Sequence, residues 1–310
     1  MAARPATELS DARVLQLRPA LDALVDATAD PARLRADPLK YVRRYSEQAD
    51  QEVAGVVASG LAFGRVAAFL PVIGAVLDLA DAAGGPARWA RDLSAVDRAA
   101  LSRLQHRWVR GTDLCIVVAA IGAVQADAGS LGAVLEEAFQ PEHDDVGPAL
   151  DALICRLLAA AVADAGVTTA ADLPHGAKNL LPRPADGSAC KRWNLLLRWM
   201  VRAPGAGAAG VDLGRWRLPP DRLVIPLDVH VGRISGLLGL TGRTDGSWTT
   251  AAEITANLRR LHPADPTRYD FALAHLGISG ACEARPVPDI CGPCQLRSVC
   301  TEGARLPPTG

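Results

Sequence analysis

Apolar residues recur at helical spacing through the first half of the chain. Val14, Leu17, Leu21 and Leu24 step by three or four. Val53, Val56, Val57 and Leu61 do the same, as do Leu150, Leu153, Ile154, Leu157 and Leu158. A period near 3.6 puts such residues on one face of an α-helix, and an Ala- and Leu-rich context favours helix further. Breaks are predicted at Gly84-Gly85-Pro86, Gly111, Gly129 and between Pro141 and Pro148. Pro71 interrupts the apolar run 66–77. Strict alternation of apolar and polar positions is nearly absent, and no internal repeat is visible.

The second half is punctuated differently. Pro174, Gly176, Pro182, Pro184 and Gly187 make a turn-rich approach to an amphipathic helix that opens at Lys191. Its apolar positions are Trp193, Leu196, Leu197, Met200 and Val201. Ala203 to Gly210 predicts a flexible loop or insertion. The apolar run Leu223 to Leu227 leads to Asp228, at the N-cap position of a helix carrying Val229, Val231, Ile234, Leu237 and Leu238. Thr249 and Thr250 start a further helix that reaches Leu261, and Phe271 to Ile278 is another apolar run. The predicted class is all-α.

Composition narrows the picture. At 310 residues, 49% hydrophobic and 22% charged, the chain is neither disordered nor collagen-like and has enough length for one large domain or two ordinary ones. The runs 66–77 and 114–124 fall short of the roughly 20 residues a spanning helix needs, and the first fourteen residues lack a signal peptide's apolar core. A cytoplasmic location without membrane association is therefore expected. The net charge of -1 hides an asymmetry: residues 175–305 carry six more Lys and Arg than Asp and Glu, and the remainder seven fewer. A basic C-terminal part is compatible with nucleic acid as partner. Only three cations are lysine, namely Lys40, Lys178 and Lys191. In a chain that otherwise uses Arg, a retained Lys marks a place where Arg does not suffice.

Cys282, Cys291, Cys294 and Cys300 form C-x8-C-x2-C-x5-C. Four thiols within nineteen residues suit metal binding, either a 4Fe-4S iron–sulfur cluster or Zn. A single C-x2-C flanked by wider gaps favours one cluster wrapped by one loop. Cys115 and Cys155, in apolar helical contexts, are predicted core residues.

This cysteine loop resembles that of endonuclease III and the adenine glycosylases, C-x6-C-x2-C-x5-C, with a longer first gap. Tyr269 to Gly277 resembles the helix before that loop. Upstream, Gly187-Ser188-Ala189-Cys190-Lys191-Arg192-Trp193-Asn194 resembles the hairpin-to-helix junction of helix–hairpin–helix DNA glycosylases. Pro226-Leu227-Asp228-Val229-His230-Val231 resembles their acidic string. The wording around Gly187 to Arg202 is similar to an uncharacterised bacterial branch of that superfamily. The 37-residue spacing from Lys191 to Asp228 is similar to the archaeal 8-oxoguanine glycosylases. Two departures stand out: the hairpin reads Gly-Ser-Ala where the family has Gly-hydrophobic-Gly, and that spacing exceeds the family norm.

The resemblance implies a two-domain helix–hairpin–helix glycosylase fold, with a six-helix barrel over 46–204. A second helical domain, joining 1–45 with 205–310, would carry the iron–sulfur loop, and the catalytic cleft would lie between the two. It implies that Lys191 is the Schiff-base amine and Asp228 the catalytic carboxylate. Gly187, Ser188, Ala189, Cys190, Arg192, Trp193 and Asn194 would contact DNA, and Cys282, Cys291, Cys294 and Cys300 would hold the cluster. Leu61 and Phe63 fall in the base-pocket and wedge region, with Phe63 and Trp193 as stacking candidates beside the plainer reading of core aromatics. Arg192, Arg198, Arg202, Arg215 and Arg217 are candidate phosphate contacts. The implied function is a monomeric, nucleoid-associated base-excision glycosylase with AP lyase activity. It would remove an oxidised base such as 8-oxoguanine from duplex DNA. The alternatives are a monofunctional glycosylase using water activated by Asp228, a non-catalytic iron–sulfur DNA-binding or redox-sensing protein, and a zinc-stabilised scaffold.

Overall fold

The computed structural model describes residues 8–28, 37–205, 212–283 and 285–306. The chain is all-α: among the described residues the only strands are the two-residue pair Gln105–His106 and Val109–Arg110. The helical periods of the first half become the helices Asp11–Thr28, Gln48–Leu61 and Gly147–Ala165. Gly85 and Gly129 cap helices as their positions predict, and Gly111 opens one. Pro71 does not end its helix, which runs from Val66 to Ala82. The carbonyl that Pro71 leaves without its helical donor belongs to Ala67, an exposed residue that water can serve. The predicted turn-rich approach contains the short helix His175–Leu180.

The chain forms two compact units. One comprises Ala32–Asp186 and Arg215–Leu218; the other comprises Met1–Pro31, Gly187–Gly214 and Pro219–Gly310. These differ from the expected division at 204. Residues 37–45 pack with the middle unit, where Tyr41 Oη donates to Leu70 O at 2.6 Å. The Lys191–Val201 helix belongs to the terminal unit, because Arg198 and Arg202 on it are paired with Asp212, Asp265 and Asp270. Ala206 to Gly210 of the predicted insertion lie outside the described residues.

At the centre of the middle unit runs Gly111–Ala128, an 18-residue helix that is long and apolar enough to cross a membrane by composition. Its apolarity has a packing cause: Leu114, Val117, Val118, Ile121 and Val124 are all buried. A methyl at Gly122 would stand 2.3 Å from Ala90 O, so close approach of the Pro86–Arg91 helix requires glycine there. Glu52 is fully buried. Its carboxylate accepts from Leu131 N at 2.9 Å and Gly132 N at 3.1 Å, capping the helix Leu131–Ala138, and from Gln125 Nε2 at 2.9 Å. It also accepts from Trp216 Nε1 at 2.8 Å. That last bond explains why Arg215–Leu218 rejoins this unit.

In the terminal unit the helices Asp11–Thr28, Lys191–Val201, Val229–Leu238, Trp248–Leu261 and Asp270–Ile278 enclose a core that includes Leu17, Leu21, Leu196, Trp199, Ile254 and Leu273. Leu9 N donates to Asn257 Oδ1 at 3.0 Å, which anchors the first described residues.

Candidate active site

Gly187 adopts φ +81°, which suits glycine, and opens the turn before Lys191. Its carbonyl accepts from Trp248 N at 2.9 Å, and Ser188 bridges Ser247. Ser188 Oγ accepts from Cys190 N at 3.2 Å. Cys190 is buried and left-handed at φ 47°, a conformation that costs a β-carbon-bearing residue roughly 1–3 kcal/mol. Asn194 holds it there: its backbone N–H donates to Cys190 O at 2.9 Å and its Nδ2 to Ala189 O at 3.0 Å. Lys191 is thereby the first residue of its helix.

Asp228 caps the helix Val229–Leu238, Oδ1 accepting from His230 N and Val231 N at 2.9 Å each. Its other oxygen, Oδ2, stands 3.2 Å from Lys191 Nζ. The Lys191 side chain is 35% exposed. The two residues the sequence singled out, 37 positions apart, are thus in contact. One carboxylate both caps a helix and pairs with the amine.

Lys191, Arg198 and Arg202 share one stripe of their helix, at i, i+7 and i+11. Arg198 contacts Asp270 and lies 3.8 Å from Asp212; Arg202 meets Asp212 at 2.6 Å and Asp265 at 2.7 Å. Both arginines are buried, so neither is the phosphate contact predicted for it. Burial pushes the carboxyls of Asp270 and Asp212 upward, against the arginines that pull them down. Burial likewise lowers Arg192 to about 10, which leaves it charged at neutral pH.

The four cysteines of the C-terminal loop line one cavity with Ile234, Leu237 and Leu296. Among the described residues no three His, Cys, Asp or Glu side chains form a preassembled metal site. The donor set nevertheless fits a thiolate-held group. Arg233 Nη1 lies 3.2 Å from Cys282 Sγ and its Nη2 donates to Cys282 O at 2.7 Å, a cation suited to offset thiolate charge. Gly303 N–H points at Cys300 Sγ at 3.4 Å. Burial, then the neighbouring Cys282, Cys291 and Cys300, push the Cys294 thiol up. Of the two cysteines predicted as core, Cys115 is buried but Cys155 is exposed, because its position on the Gly147–Ala165 helix faces out beside Asp151.

Residues 37–279 match the model of a family described as a protein of unknown function, DUF2400. The chain belongs to the DUF2400 family. No curated protein and no solved structure matches it. The DUF2400 span contains Lys191, Asp228, Asp270 and both buried arginines, and ends before the first loop cysteine, Cys282.

Within that span the middle unit presents a feature the sequence reading missed. Gln105–His106 and Val109–Arg110 pair as a tight hairpin whose turn is Arg107-Trp108, with Arg107 left-handed at φ 53°. Trp108 is 44% exposed and stacks on half-buried Phe63, ring centroids 4.7 Å apart. Arg107 lies over the indole at 4.9 Å. Arg65, Arg103, Arg107 and Arg110 are exposed, and no Asp or Glu occurs in 63–70 or 102–112. A turn without Gly or Asn carries no hairpin signature; an exposed Trp among acid-free arginines was the available clue. Leu61 is fully buried and Trp193 nearly so, which removes both as stacking groups and leaves Phe63 as the ring beneath Trp108. Of the other predicted phosphate contacts, Arg215 is bound to Gln51 Oε1 at 2.8 Å, and Arg217 stays open beside Glu136.

Proposed function

We propose that this DUF2400 protein is a DNA glycosylase with AP lyase activity, built on the helix–hairpin–helix glycosylase plan. The observation that carries the reading is the 3.2 Å pairing of Lys191 Nζ with Asp228 Oδ2 at two helix N-termini. A carboxylate fixed by two backbone N–H groups can take the proton that keeps an ammonium from reacting. The neutral amine then attacks C1′ of the damaged nucleoside, and the C1′–N bond breaks with its electron pair leaving on the base, which is protonated as it departs. Asp228 stabilises positive charge building at C1′. Ring opening gives a Schiff base on Lys191; loss of a C2′ proton then expels the 3′ phosphate by β-elimination. Arginine in place of Lys191 would stay protonated and could not attack.

The base must leave the stack first, at a few kcal/mol. On the middle unit, taken by itself, exposed Trp108 backed by Phe63 and the arginines around it form a surface suited to nucleic acid. Cys282, Cys291, Cys294 and Cys300 would hold a 4Fe-4S cluster; Zn is the alternative for the same thiols. When bound, the group ties the C-terminal loop together and supplies no step of the reaction above. The substrate class is duplex DNA with an oxidised base such as 8-oxoguanine, handled by a monomer in the cytoplasm.

Borohydride trapping on lesion-bearing duplexes tests the reading. The wild type is expected to yield a covalent complex, and Lys191→Ala none. Equal trapping by Lys191→Ala would sink the lyase assignment. Base release that survives Lys191→Gln and is lost in Asp228→Asn would instead indicate attack by water.

A further inference from the structure

The cation stripe behind the candidate site is sorted among four carboxylates. Lys191 has Asp228; Arg198 has Asp270, shared with Asp212; Arg202 has Asp212 and Asp265. Asp270 and Arg198 are 3% and 4% exposed, so neither serves solvent. Two observations tie this buried pair to the site. Arg198 shares its helix face with Lys191, and Asp270 is close enough for the charges of both Asp228 and Lys191 to act on it. Without Asp270, Arg198 would lose one of its two carboxylates and keep Asp212 at 3.8 Å, leaving the buried stripe one negative charge short.

We propose that Asp270 is a positioning residue for the Lys191–Asp228 pair. By balancing Arg198 it holds the field behind the amine near neutral. This rests on the reading of Lys191 as a nucleophile, but its electrostatic content can be measured without DNA. The charged and titratable groups around Asp270 are Lys191 and Arg198 on their helix, Asp212 in the segment after it, and Asp228 at the cap of the Val229–Leu238 helix. His230 packs from that last helix against Gly277 on the Asp270–Ile278 helix.

The test uses the small number of lysines. The full-length holoprotein is labelled at neutral pH with a trace of an acylating reagent that attacks only neutral amines. Lys40 and Lys178 serve as internal standards for Lys191 in peptide mass spectrometry. Asp270→Asn removes one negative charge from behind the amine while Arg198 keeps Asp212 at 3.8 Å, and is expected to speed Lys191 labelling by about 3- to 10-fold, the scale of one added net charge a short distance away. Arg198→Gln leaves Asp270 unpaired and should slow it by a similar factor. Asp270→Asn with Arg198→Gln should return it to within about 2-fold of wild type, the pattern of a coupled pair. Two single variants that shift in the same direction, or that match wild type while their circular dichroism is native, would overturn the proposal. If Asp270→Asn does not fold, the double variant and Arg198→Lys decide. Both keep the field balanced and should label like wild type, so a larger departure in either rejects the idea. Should the labelling pattern hold while wild type traps no lesion duplex, the lyase reading fails and the electrostatic role of Asp270 stands.

Discussion

The two oxygens of Asp228 have separate tasks, and substitution can divide them. Asparagine caps a helix as well as aspartate does, so Asp228→Asn should leave unfolding within about 0.5 kcal/mol of wild type, whereas Asp228→Ala should cost about 1 kcal/mol. Denaturant titration reads both, and base release should be lost in each. Trp108→Ala should weaken DNA binding by about 1–3 kcal/mol beyond any stability lost with its stacking on Phe63 and its Nε1 bond to Asn179, which the unfolding midpoint reads separately. Fluorescence anisotropy with a lesion duplex measures this. Lys191 was legible in the sequence through its scarcity and its place at a turn-to-helix junction. Arg198 and Arg202 were not: a helical wheel groups them with Lys191, but nothing local announces that Asp212, Asp265 and Asp270 will arrive to bury them. The left-handed Cys190 was equally hidden, since its conformation is set by Ser188 and Asn194 acting from either side.

Among the elements, periodicity located most helices, and local chemistry decided the exceptions. Pro71 was tolerated because the bond it forfeits lies in the first turns of an exposed segment. The close contact of two helices was not legible. A methyl at Gly277 would stand 2.5 Å from His230 Cβ, so Gly277→Ala should push the Val229–Leu238 helix and its Asp228 cap away from Lys191. Overpacking of this kind costs roughly 1–3 kcal/mol; trapping yield should fall further than the stability loss accounts for. In the middle unit, Arg183 holds Asp151 through bonds of 3.1 and 2.7 Å and draws its carboxyl below the usual range. A depressed acid stabilises the fold above its unfolded value, near pH 4, and that contribution is lost as pH falls through the folded one. Both side chains are partly exposed, so the contribution is about 1 kcal/mol after screening. Stability of Asp151→Asn measured from pH 6 to pH 3 should decline less steeply than that of wild type.

For the molecule as a whole, the all-α class was readable, whereas the boundaries of the units were not, because they depend on which buried pairs form across long separations. Glu52 and Trp216 are 164 positions apart and meet at 2.8 Å. The cysteine loop makes a whole-molecule prediction. Purified holoprotein should absorb near 400 nm, and Cys291→Ser should lose that band together with protease resistance of the C-terminal segment. A colourless protein carrying one equivalent of zinc would assign the thiols to the other metal.

The return of Arg215–Leu218 to the middle unit also bears on how the chain is made. The polypeptide passes from one unit to the other four times, after Pro31, Asp186, Gly214 and Leu218. On a ribosome, the middle unit has its helices by Asp186 but lacks the indole that fills the space over Gly132 until Trp216 emerges. Folding during synthesis therefore has to wait for about thirty further residues before that unit closes. A fragment ending at Asp186 would display the unfilled surface at Gly132 and leave one donor to Glu52 missing. Such a piece is expected to bind chaperones and to become soluble when residues 215–218 are supplied as a peptide.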